Sequence, residues 1–91
     1  MTTGVVNDPV LTLLTRAYCH LCDEMRTALE PVATEFGMAV VELDVDADAE
    51  LEARYGERVP VLLLGTLPDA VELCHFKFDR ARVERVLQVR R

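Results

Sequence analysis

Residues Val10-Leu-Thr-Leu-Leu-Thr-Arg-Ala-Tyr-Cys-His-Leu-Cys22 decide how this chain folds. The first six are mostly apolar, and the run is short, so they read as a buried strand. From His20 the period changes. Leu21, Met25, Ala28, Leu29, Val32 and Phe36 fall on one face of a helix, with Asp23, Glu24, Arg26 and Glu30 turned away. Gly37 stands where such a helix stops. Pro31 lies inside it and predicts a kink near residues 27–31, because proline removes one hydrogen bond and crowds the preceding turn. The change from strand to helix falls at Cys19-His20-Leu21-Cys22.

That position gives the cysteine spacing its meaning. Two residues three apart in a first helical turn point the same way, with Cβ atoms about 5–6 Å apart, close enough for a disulfide. Cys19 is the cap or first residue, so unpaired N–H groups and the positive end of the helix dipole face its sulfur and favour a thiolate. Cys22 sits one turn deeper. The asymmetry assigns attack on a disulfide to Cys19 and resolution of the mixed disulfide to Cys22. Metal binding and inert packing are the competing readings. His20, if protonated, would further activate Cys19, although the helix dipole opposes its charge. Tyr18 is expected to pack beside the pair and shield Cys22, with a plain surface aromatic as the alternative.

Working outward, 38–44 form a second strand. Asp48 to Tyr55 form a short helix capped by Asp46 or Asp48, with Gly56 past its end. Val61–Leu64 is a third strand, 65–69 a hairpin connection, and Val71–His75 a fourth strand. Asp79 caps a last helix in which Val83, Val86 and Leu87 share a face. The order is β-α-β-α-β-β-α. A right-handed crossover makes the first two strands parallel, and a short loop makes the last two antiparallel. The expected class is α/β: a four-stranded mixed sheet flanked by three helices.

The 91 residues suit one domain, divided into a flexible tail at 1–9 and a single domain at 10–91. With 51% hydrophobic and 29% charged residues, the composition is that of a globular domain. Ten Lys plus Arg against sixteen Asp plus Glu leave a net charge of −6. That balance disfavours nucleic acid and an anionic membrane surface as partners. The first residues lack a basic start and a long apolar run, so a cytoplasmic location is expected. Three cysteines are too few, and odd in number, for a disulfide-stapled secreted scaffold.

Two other constellations fail on inspection. Cys19, Cys22, Cys74 and His75 have the ligand count of a zinc site, but neighbouring strand residues point to opposite faces. No metal site is therefore assigned, and Cys74 reads as a core thiol. The acidic run from Asp44 lacks the glycine and the final glutamate of a calcium loop, having Ala49 and Tyr55 there.

Thr15-Arg-Ala-Tyr-Cys-His-Leu-Cys22, with Arg58-Val-Pro60 further on, resembles the glutaredoxin branch of the thioredoxin-fold superfamily. More narrowly, Cys-His-Leu-Cys-Asp-Glu with Tyr55-Gly-Glu-Arg-Val-Pro60 is similar to a group of small glutaredoxin-like proteins, over about residues 10–88. The resemblance implies a thioredoxin-like fold and a thiol–disulfide oxidoreductase acting on protein disulfides or glutathione mixed disulfides. It implies a cis Pro60 beside the cysteines, with Val59 offering its backbone to an extended peptide or to glutathione. Arg16 matches a lysine position near the glutathione carboxylate. Arg16, Tyr18, Val59 and Pro60 are thus the expected substrate-binding residues. No tightly bound cofactor is expected; glutathione would be a co-substrate, a reductase the electron donor, and the protein a monomer. Two departures stand out: His20-Leu21 replaces Pro-Tyr, and His75-Phe-Lys-Phe-Asp79 replaces a Gly-Gly turn. The alternative is a non-catalytic adaptor or metal-binding module using the same cysteines.

Overall fold

The structure, a computed structural model, describes residues 10–90, so the tail expected at 1–9 lies outside the described residues. The elements are β1 (Val10–Thr15), α1 (His20–Glu35), β2 (Ala39–Asp44), α2 (Ala49–Tyr55), β3 (Val61–Leu64), β4 (Val71–His75) and α3 (Arg80–Arg90). Single 3-10 turns at Val45–Ala47 and Gly56–Arg58 flank α2. The expected α/β order is the observed one. The sheet runs β2-β1-β3-β4, with β1 parallel to β2 and antiparallel to β3, and β3 antiparallel to β4.

Burial explains why β1 and β3 are central. Leu11, Leu13, Leu14, Val61, Leu62 and Leu63 are all fully buried. A strand covered on both faces reads as continuous apolar sequence. Leu11, Leu13 and Leu62 pack on one face with Met25, Leu29, Val32 and Ala33 of α1 and Val83 and Leu87 of α3. Leu14, Val61 and Leu63 face the other way and meet Val45 and Tyr55 beside α2. The edge strand β2 is exposed along most of its length.

Helix ends follow local chemistry. Cys19 and Asp48 cap α1 and α2 with side-chain acceptors, and Asp79 accepts from the Arg82 N–H at 3.1 Å. Asp44 caps the 3-10 turn before α2 by accepting from the Asp46 N–H at 2.8 Å. At the end of α1, Gly37 adopts φ +65°. The Gly37 and Met38 N–H groups donate back to Thr34 and Ala33 carbonyls at 3.2 and 2.8 Å. This paired closure requires a left-handed residue, which glycine supplies without steric cost.

Pro31 does not end the helix: α1 is continuous from His20 to Glu35. The ring is on the exposed side, while Leu29, Val32 and Ala33 around it are buried. Packing thus outweighs the lost backbone bond. Replacing Pro31 with Ala should restore that bond and raise unfolding stability by about 1–2 kcal/mol, less than the roughly 3 kcal/mol propensity difference because the unfolded chain also gains freedom. Urea unfolding of the two proteins measures it, and an unchanged or lower midpoint would contradict this account of α1.

Candidate active site

The register places the chain segments that matter at one end of the sheet. Leu14 pairs with Val61, and Val61 with His75. The loop after β1, the start of β3 and the end of β4 therefore meet there. Cys19 occupies the cap of α1 in an extended conformation, φ −107° and ψ 109°. Cys22 follows in the first turn, and the two sulfurs form a disulfide across a Cα–Cα separation of 5.2 Å. The Cys22 N–H donates to Cys19 Sγ at 3.1 Å. One helix-start donor is thus aimed at the outer sulfur, where negative charge would be stabilised. Cys19 is half-buried, whereas Cys22 is only 1% exposed. The outer cysteine is thus partly open to solvent, and the inner one is covered.

Val59 is extended (φ −63°, ψ 143°) and half-buried, and the Val59–Pro60 peptide bond is cis. Pro60 is buried, and its carbonyl accepts from the Phe76 N–H at 2.9 Å. That bond ties the start of β3 to the loop after β4. His20 is the first residue of α1 and exposed.

Two expectations change. Tyr18 does not shield Cys22: its side chain is fully exposed, and its backbone adopts φ +59°. A left-handed turn between Thr15 and Cys19 carries the ring away from the protein, and Cys22 is covered without it. Arg16 is committed within the fold. Its Nη2 and Nε donate to the Asp46 carboxylate at 2.9 and 3.1 Å, with Glu52 at 3.3 Å and the Gly56 carbonyl at 3.3 Å. The guanidinium ties the loop after β1 to α2. Gly56 lies close under this cluster, and a methyl group there would push the Glu52 carboxylate aside.

Sequence reasoning missed Phe76. It takes φ +66° and is 44% exposed. The only hint was the absence of glycine from that turn, because a bulky residue is an improbable choice for left-handed backbone. Nearby, Glu72 receives His75 Nδ1 at 2.7 Å and Arg58 Nη2 at 3.4 Å, and the His75 and Phe76 rings meet edge-on at 4.8 Å. Among the described residues no three His, Cys, Asp or Glu side chains could hold one ion.

Cys74 is half-buried and packs against the α1–α3 side of the core. Burial pushes its thiol above the ordinary 9.0; an Asp79 backbone hydrogen bond opposes this, the Asp79 and Glu72 carboxylates reinforce it, and Arg82 counteracts it. A folded-state value above the unfolded one means that the fold prefers the neutral thiol. This contribution is complete below the ordinary value and is lost as pH rises through the raised one. With the Cys19–Cys22 disulfide intact, urea unfolding from neutral pH to about 10.5, where free thiols are ionised, should show a steeper alkaline loss in wild type than in Cys74→Ala. Equal slopes would refute it.

Comparison with known proteins places this geometry. A family profile described as Glutaredoxin-like domain (DUF836) matches residues 10–88. An uncharacterized protein of Mycobacterium tuberculosis is 34% identical over 80 residues, covering 82% of this chain and 78% of that one. A Nitrosomonas europaea protein solved by NMR aligns with TM-score 0.75 at 27% identity, covering 93% of this chain and 98% of that one. A mutant thioredoxin from Halobacterium salinarum aligns with TM-score 0.67 at 28% identity, covering 91% and 74%. The fold is thioredoxin-like, and no helix among the described residues is long and apolar enough to cross a membrane.

Proposed function

The chain belongs to the Glutaredoxin-like domain family, and from that premise we propose that it is a thiol–disulfide oxidoreductase working through Cys19 and Cys22. One observation carries the reading: a disulfide at the opening turn of a helix, with its outer sulfur accessible and hydrogen-bonded and its inner sulfur buried. The thioredoxin likeness supports it.

In the reduced protein, the Cys19 thiolate attacks one sulfur of a substrate disulfide. An S–S bond forms between Cys19 and the substrate, and the second substrate sulfur leaves as a thiolate that takes a proton from water. Cys22 then loses its proton to solvent and attacks Cys19 Sγ. The first substrate sulfur leaves, and the Cys19–Cys22 disulfide remains. Two electrons pass from the pair to the substrate, and an external dithiol reductase or glutathione returns them. The helix start stabilises the Cys19 thiolate before attack and when it leaves. Val59 supports substrate binding because its extended backbone, next to Pro60 at the same sheet end, suits strand addition.

The test uses a protein disulfide as substrate and dithiothreitol as reductant. Wild type should accelerate reduction, and Cys19→Ser should fall to the rate of dithiothreitol alone. Cys22→Ser should accumulate a mixed disulfide between Cys19 and substrate, visible by mass. Unchanged turnover in Cys19→Ser would overturn the assignment of the nucleophile. Stoichiometric zinc in an inactive reduced protein would favour a metal-binding module.

A further inference from the structure

We infer that this redox site selects a cationic, extended protein segment with apolar flanking side chains, in preference to glutathione. The inference rests on the oxidoreductase reading above and names its substrate class.

The first argument is charge. Glutathione carries two carboxylates and one ammonium, so free cations in the site favour it and carboxylates oppose it. Here Arg16 is held by Asp46, Glu52 and the Gly56 carbonyl, and Arg58 by Glu72 at 3.4 Å. Lys77 beside Phe76 is exposed and shares the lining of a shallow cavity with Glu24 of α1, while Asp23 in the first turn of α1 and Glu57 before Val59 are further exposed acids. Asp44, Asp46, Asp48, Glu50 and Glu52 extend the negative surface, since Asp44 ends β2 opposite Thr15. Such a field attracts a cationic partner and repels an anionic one.

The second argument is shape. Tyr18 and Phe76 are the non-glycine residues with positive φ among the described residues, at +59° and +66°. A bulky residue in left-handed backbone is strained and persists only where surrounding structure holds it. Phe76 is held by its N–H bond to the Pro60 carbonyl. Tyr18 is fully exposed, and Phe76 is 44% exposed with its ring edge-on to His75, at the sheet end that bears Cys19 and Val59. Tyr18 lies on the Cys19 side and Phe76 on the Pro60 side. A peptide chain laid along Val59 has room to bring apolar side chains to both rings, and aromatic rings are effective anchors for such contact. Glutathione is too short and too polar to use them.

The experiment follows single-turnover reduction by the Cys19–Cys22 dithiol. Three mixed disulfides with thionitrobenzoate serve as substrates: those of glutathione, of the peptide Lys-Leu-Cys-Leu-Arg, and of its Glu-Leu-Cys-Leu-Glu counterpart. Release of coloured thionitrobenzoate gives the rates. The cationic peptide should react about tenfold faster than either anionic substrate, with a ratio that shrinks as salt screens the field. Tyr18→Gly and Phe76→Gly keep the left-handed backbone without strain. Each should lower the ratio of cationic-peptide to glutathione rates by about 3–10-fold, the loss expected for one aromatic anchor. Equal or faster reaction with the glutathione disulfide, or ratios unmoved in both variants, would overturn the inference and leave the oxidoreductase reading standing. A concentration-dependent dimer dissolved by Tyr18→Gly would reassign the rings to a second copy of the chain and overturn it too. Absence of reaction with all three substrates would sink the oxidoreductase reading itself.

Discussion

The hydrogen-bonded pairing of Leu14 with Val61 is the constraint on which the site depends. It aligns β1 and β3 head to tail, so the exit of one strand lies beside the entry of the other. The loop leading to Cys19 and the segment Val59-Pro60 thereby meet, although 40 residues separate Cys19 from Val59. Near-complete burial of both strands holds that register, because each residue is fitted into one of two distinct apolar clusters. Chemistry at the helix start inherits its geometry from a purely apolar arrangement in the centre of the sheet.

Much of the fold was legible because its signals are local. β1, β3 and β4 showed as apolar or β-rich runs between turns, and Asp48, Asp79, Gly37 and the Cys19 cap are chemistry confined to one helical turn. The position of the cysteine pair at a strand-to-helix junction was legible for the same reason. Pro31 is accommodated inside α1 because its neighbours Leu29, Val32 and Ala33 are buried and hold the helix from outside its own hydrogen bonds. Tyr18 and Phe76 were illegible in their conformation. Backbone of that hand is ordinarily read from glycine or asparagine, and nothing local announces an aromatic there. Arg16 could not be placed either, because its partners Asp46 and Glu52 lie 30 and 36 residues away.

The electrostatics of the site follow from that network. An arginine three residues before a nucleophilic sulfur suggests help for an anion, yet two carboxylates and a carbonyl claim its donors. Its charge joins loop to helix, and the surface beyond it stays negative. Side chains exposed next to the disulfide include Tyr18, His20, Asp23 and Glu24.

The sheet separates two hydrophobic clusters of unequal size. The α1–α3 side buries ten residues and the α2 side five. Local opening is easiest where the fewest apolar contacts must part, so α2 with its flanking turns forms the less protected unit. Its closure relies on the Arg16 clasp as well as on packing. Amide hydrogens in α2 are therefore expected to exchange with deuterium earlier than those of α1, which carries Cys19 and Cys22 on the better-packed side.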